Sequence, residues 1–234
     1  MKKILAFAAV AVAAVALASA DPILVGHGYF GVGIGSTVKN GSGNALDSAT
    51  TSWSFGSNLD FGAGLAVNIP FGGYFGFQPG VDFYVNNVGY NQKYTSIGVE
   101  HNNDFTYRYM SIDIPLLLTA KVNKFNFALG PYVSIPVGEM NKNSVWNTKT
   151  SSKSSTTKGD DTYAHSWGSI GLLIGMGYEQ RMGMGRLVIG GNYMLDFIPI
   201  DVIRKNSDGT ETTMAKLERR ALKVDVSYKI PLSF

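Results

Sequence analysis

The 234-residue chain contains no cysteine, so neither a disulfide framework nor a thiolate metal site is open to it. Charge is scarce, at 16% of residues. Setting aside Lys2 and Lys3 leaves 18 of the 20 basic residues against 17 acidic ones, a near-neutral balance that gives a nucleic-acid partner no support. Histidine is limited to His27, His101 and His165, and no His or carboxylate cluster has metal-ligand spacing. After the first 20 residues no long amphipathic helical pattern occurs. The one uninterrupted apolar run, residues 4–17, is shorter than the roughly 20 residues a membrane helix requires.

That run follows Lys2 and Lys3 and precedes Ala18-Ser19-Ala20, the charged, apolar and small-residue parts of a secretory signal peptide. Residues 1–20 are therefore expected to be cleaved, leaving residues 21–234 as one exported domain. The 28 glycines and 12% aromatics fit many strands and turns.

Alternation is what the chain has in abundance. At the C-terminus Leu222, Val224, Val226, Tyr228, Ile230, Leu232 and Phe234 occupy every second position, with Lys223, Asp225, Ser227 and Lys229 between them. This is strand periodicity. Residues 53–69 repeat it, and further strands are predicted near 26–37, 74–87, 105–121, 124–138, 165–181, 186–197 and 217–234, eight in all. Short turns near 70–73, 122–124 and 182–185 alternate with long connections near 38–52, 88–104, 139–164 and 198–216. That asymmetry fits an antiparallel up-and-down transmembrane β-barrel with short periplasmic turns and long external loops. Residues 149–161, rich in Ser, Thr and Lys, read as a loop tip without fixed structure.

A soluble barrel would show the same period with its apolar face inward. Here the polar face carries many glycines, including Gly31, Gly62, Gly64, Gly130, Gly171, Gly175 and Gly190. Small residues suit the narrow interior of an eight-stranded barrel, which turns the large apolar residues toward lipid. Aromatics then form two interfacial belts: Trp53, Phe55, Tyr107, Tyr109, Tyr193 and Phe197 outside, Phe71, Tyr74, Phe75, Phe125, Tyr228 and Phe234 inside. By the same parity Asp60, Asp82, Asp113, Lys121, Glu179, Arg181, Asp196, Lys223, Asp225 and Lys229 face the lumen. There they pair as a structural plug or line a narrow solute path. On this orientation Leu65→Arg should impair assembly, and Gly64→Ser should be mild.

The segments YMSIDIPLLLTAKV (109–122), FALGPYVSIPVG (127–138) and GSIGLLIGMGYEQ (168–180) resemble successive strands of the small outer-membrane β-barrel proteins of OmpX, OmpW and OmpA-barrel type, including the group defined by an outer membrane protein β-barrel domain. The resemblance spans residues 21–234 and implies an integral outer-membrane protein of the Gram-negative envelope. It implies contact with membrane lipids and lipopolysaccharide, insertion by the barrel-assembly machinery through the terminal Phe234, and external loops that meet host or environmental surfaces. It carries no catalytic assignment and no cofactor. A narrow channel for small or hydrophobic solutes is the alternative that an OmpW likeness implies. A lipid-modifying enzyme is the third reading, with His165-Ser166 its one suggestive pair; adjacent strand residues point to opposite faces, which argues against their pairing. GHGYFG at 26–31 has the letters of a pyrophosphate-binding loop, but it lies within an alternating strand and no helix follows.

Overall fold

The computed structural model describes residues 22–33, 37–40, 49–50, 59–71, 73–96, 99–149 and 154–232. The signal segment, Trp53, Phe55 and Phe234 lie outside them. The described residues contain no helix and thirteen strands. Eight of these close into a barrel: β1 (Ile23–Gly33), β4 (Leu59–Phe71), β5 (Phe75–Ser96), β6 (Val99–Val122), β7 (Phe125–Lys149), β9 (Ser169–Met182), β10 (Gly185–Asp196) and β13 (Arg220–Pro231). Each is antiparallel to the next, and β13 returns to β1. Closure satisfies every strand edge within the hydrocarbon, which an open sheet cannot do. At the inner end Gly73 and Gly183 turn the chain with φ of 77° and 59°, and Asn123 does so at 56°, a conformation that asparagine tolerates better than most residues.

The alternation is realised as inferred. On β13 Leu222, Val224 and Val226 are exposed on the outer wall, while Lys223 between them is 1% exposed. Phe61, Leu65, Phe83, Leu118, Leu129, Ile174 and Ile189 continue the outer apolar band around the barrel. Phe71, Tyr74, Phe75 and Phe125 form the inner aromatic belt, and Phe197 joins Trp167 in the outer one.

The outer half departs from the sequence reading in two ways. A membrane-crossing strand needs about 9–11 residues, yet β5, β6 and β7 have 22, 24 and 25. They stand well above the membrane. Above the barrel β7 exchanges β9 for β8 (Ser154–His165), and β11 (Ile200–Lys205), β12 (Glu211–Glu218) and β2 (Thr37–Asn40) continue the wall, with β3 (Ala49–Thr50) against β5. Residues 154–161, expected to lack fixed structure, are thus strand. Their backbone hydrogen bonds come from β7, residues 142–149, a pairing that composition does not reveal; residues 150–153 of the same tract lie outside the described residues.

The second departure concerns Tyr107 and Tyr109. Both are buried, not part of a lipid-facing belt. They share inward parity with Asp113 and pack with Val88, Met140, Tyr163, Ile200, Val202, Ala215 and Leu217 into an apolar core above the lumen. A register shift between Arg108 and Met110 marks where β6 passes from the barrel into this upper tier.

The lumen as the candidate functional site

From the inner end outward, the lumen is filled in layers. At the bottom the buried Glu179 carboxylate is met by Lys121, by Arg186 at 3.1 Å and by Lys229 at 3.4 Å. Lys229 also donates to Asn126 Oδ1 at 2.7 Å. Arg181 keeps the inward parity but lies exposed at the end of β9, outside this cluster. Behind the ion pairs is a cavity of about 60 Å³ lined by His27, Gln78, Thr119, Asn126, Asp225 and Ser227. Asn192 donates to Asp225 at 3.0 Å.

The middle is occupied by Tyr29, Tyr84, Leu117, Tyr132, Leu173 and Met194, all buried. Two of these rings reach the centre because glycine lies opposite them. Gly62 pairs with Tyr84, and a side chain there would meet the tyrosine ring; Gly171 stands in the same relation to Tyr132. Small residues facing large ones are how so narrow a barrel fills its interior.

Above this layer sits Arg219, 1% exposed, between β12 and β13. It donates to Asn86 Oδ1 at 2.7 Å and to Asp113 Oδ2 at 3.0 Å, lies 3.7 Å from Asp196 Oδ1, and stacks 5.3 Å from the Tyr132 ring centroid. Asp113 also accepts from Ser111 and Ser134, and Asp196 from the Tyr132 hydroxyl and the Arg219 amide. Lys223 Nζ lies 3.4 Å from the Tyr84 ring centroid, a desolvated cation on an aromatic face. Asp82 accepts from Tyr29 at 3.5 Å, and Asp60 accepts from the Asn87 amide at 2.8 Å. The structure therefore divides the inward charges named from parity into an inner group around Glu179 and an outer group around Arg219.

Arg219 itself was not named from the sequence, although it shares parity with Lys223, Asp225 and Lys229. Its place beside Arg220 at the edge of a long connection hid it. Tyr29, Tyr84 and Tyr132 carry inward parity too; the inward residues named from parity were charges alone.

His165 and Ser166 do not form a nucleophile and base. The two ring nitrogens of His165 face the carbonyls of Ser166 and Gly138, each at 2.8 Å, and Ser166 Oγ accepts from the Asp201 amide at 3.0 Å. Their hydrogen bonds tie the end of β8 and the connection that follows it to β7 and β11 at the rim. Among the described residues no group of His, Asp and Glu is placed to hold a metal ion.

A closed antiparallel ring of eight strands with an apolar belt outside and charges inside is a transmembrane β-barrel. The sequence matches the outer membrane protein beta-barrel domain family over residues 25–202, and the chain belongs to that family, which places it in the outer membrane in contact with its lipids. No curated protein matches it. Solved structures similar to it include Ail, the attachment invasion locus protein of Yersinia pestis, in complex with the heparin analogue sucrose octasulfate, at 15% identity, covering 90% of this chain and 99% of that one, with a TM-score of 0.31. Neisserial surface protein A is similar at 12% identity, 90% and 97% coverage and a TM-score of 0.35. The outer membrane protein OprG from Pseudomonas aeruginosa is similar at 10% identity, 91% and 97% coverage and a TM-score of 0.39.

Proposed function

We propose that this protein is a non-conducting, non-enzymatic outer-membrane barrel whose tall external sheet makes contacts at the cell surface. The observation that carries the reading is the stack of two layers of buried residues with the Arg219 cluster between them. Asp60, Asp82, Asp113, Lys121, Glu179, Lys223 and Asp225 then serve as the plug's structural charges; Arg181 contributes at the inner rim. A buried charge is costly unless it is compensated: Asp113, Lys121 and Glu179 stand in ion pairs, Asp60, Asp82 and Asp225 accept hydrogen bonds, and Lys223 lies over the Tyr84 ring.

Binding resides on the external tier, because a rigid barrel presenting long elements is the usual support for recognition. Lipopolysaccharide around the rim and host or environmental surfaces are the partner classes this reading supplies. Cleavage after Ala20, a single domain over residues 21–234 and recognition of Phe234 by the assembly machinery belong to the same proposal.

Planar-bilayer recording of the refolded protein tests it, with heat-modifiable gel migration as the control for folding. A folded, electrically silent barrel is the expected outcome. Discrete openings would instead establish the narrow channel and make Asp60, Asp82, Asp113 and Lys223 the residues that set its selectivity.

A further inference from the structure

The inner mouth of the lumen carries a row of cations in register. Arg181 on β9 stands directly opposite Arg186 on β10, and Arg186 directly opposite Lys229 on β13. All three share the inward parity of the buried Glu179, Val188 and Ser227, so the row crosses three neighbouring strands on the lumen face. At about 4.8 Å per strand it spans about 10 Å. Like charges directly opposite one another in a sheet repel. Lys121 of β6 brings a fourth cation to the same end.

Among the described residues Glu179 is the one carboxylate that meets this group. Its Oε1 faces Lys121 and Arg186, and its Oε2 faces Lys229. Arg181 is exposed and has no ion pair among the described residues. Four cations thus stand around one carboxylate, in a mature chain that is otherwise close to neutral. Their remaining donors are accessible: the Arg186 and Lys121 side chains are 44% and 36% exposed. Arg186 spends only Nη1 on Glu179, which leaves most of its five N–H donors free for another acceptor. Beside the row, Asn126 takes a hydrogen bond from Lys229 on its Oδ1, while its Nδ2 is a buried donor without a partner. What the mouth lacks is an anion.

We propose that this mouth binds a divalent tetrahedral oxyanion of the phosphate class, held by Arg181, Arg186 and Lys229 with Lys121 and Asn126 Nδ2 beside them. An arginine fork matches a pair of oxygens, and one tetrahedral dianion has oxygens for two forks and an ammonium together; chloride or a monocarboxylate does not. The side of the wall selects a solute over a lipid headgroup, because the row faces the lumen. The cation on the lipid side at this end is Lys124, whose Nζ lies 5.6 Å from the centroid of the exposed Tyr178 ring. Asp225 shares the inward face of β13 but lies about 13 Å deeper, at about 3.3 Å per residue, and its repulsion keeps the anion at the mouth. The site is at the opposite end of the barrel from the external tier and stands apart from the surface-contact reading.

The test is isothermal titration calorimetry at pH 8 with inorganic phosphate, on the refolded protein in a phosphate-free detergent, ionic strength being held constant with sodium chloride. Wild type should bind one phosphate saturably, and R181Q and R186Q should each weaken binding at least about tenfold by removing a charge-assisted contact. K124Q should bind as wild type does. Heat-modifiable migration checks folding, and R181Q, which breaks no ion pair, gives a second readout. Without phosphate it should melt no lower than wild type, since a like-charge opposition is relieved; with phosphate it should lack the stabilisation that the ligand gives wild type. Dihexanoyl phosphatidylglycerol separates the two sources of phosphate. Binding of that lipid in place of inorganic phosphate, lost in K124Q and kept in R181Q, would overturn the lumen site in favour of a headgroup contact. No saturable binding of phosphate beyond that of chloride, or binding that R181Q and R186Q leave unchanged, would overturn the proposal outright.

Discussion

Replacing Gly64 with serine should destabilise the barrel by about 1–3 kcal/mol, the usual cost of overfilling a packed interior. The parity argument alone makes this change mild, since it adds a small polar group on the polar face. The structure reverses that expectation. Gly64 is paired with Asp82, whose side chain lies across it, so a Cβ at position 64 would run into the Asp82 carboxylate and come 2.7 Å from the Val81 carbonyl oxygen. The carboxylate has little freedom to retreat in a filled lumen. Asp82→Ala should therefore relieve part of the clash, and the double variant G64S/D82A should be more stable than the sum of the single effects predicts. Leu65→Arg is the comparator: Leu65 is the middle residue of β4, 62% exposed on the outer wall, and a cation there costs about 2–4 kcal/mol against lipid. No change at position 82 should rescue it. Urea unfolding in lipid vesicles, followed by tryptophan fluorescence and heat-modifiable migration, measures all four variants. A Gly64→Ser protein as stable as wild type, or one whose loss is indifferent to Asp82→Ala, would refute the packing argument.

Arg219→Met should cost about 3–5 kcal/mol in the same assay, because it leaves Asp113 and Asp196 buried without their cation; Arg219→Lys should fall between, since an ammonium cannot reproduce the forked contacts to Asn86 and Asp113. Unchanged unfolding midpoints would mean that the cluster is not what holds β12 and β13 to the barrel. In the exposed β11–β12 turn, hydrogen bonds from the Thr210 hydroxyl and amide hold the Asp208 carboxyl below its usual value. A lowered folded value means the ionised carboxylate's contribution is intact above the ordinary carboxylate range and is lost as pH falls through the folded value. Protection of the Thr210 amide, measured against the intrinsic exchange rate at each pH, should therefore persist through the ordinary carboxylate range and be lost only at pH below it, and Asp208→Ala should abolish that dependence.

Much of this molecule could be read from one chain because a barrel strand is a period-2 object. Each residue's parity settles whether it meets lipid or lumen, and Leu222, Val224 and Val226 against Lys223 show how little else is required. Short turns alternating with long connections fixed strand count and topology for the same local reason. The fate of the long connections was not local. Residues 154–161 look like a solvated tract, and only the hydrogen bonds that β7 offers across the hairpin make them a strand. Tyr107 and Tyr109 have the composition of an interfacial belt although they share inward parity with Asp113, and what they pack against is a core assembled from six strands.

The sequence by itself determined that this is a barrel and which way its faces point, since alternation and glycine content act residue by residue. Which groups the lumen charges meet was decided by the tertiary structure alone. Arg219 meets Asp113, Asp196 and Asn86 from different strands, and Tyr84 and Tyr132 cross the centre because Gly62 and Gly171 lie opposite them. Filling a volume is a property of the strands in register together, and no single strand carries it.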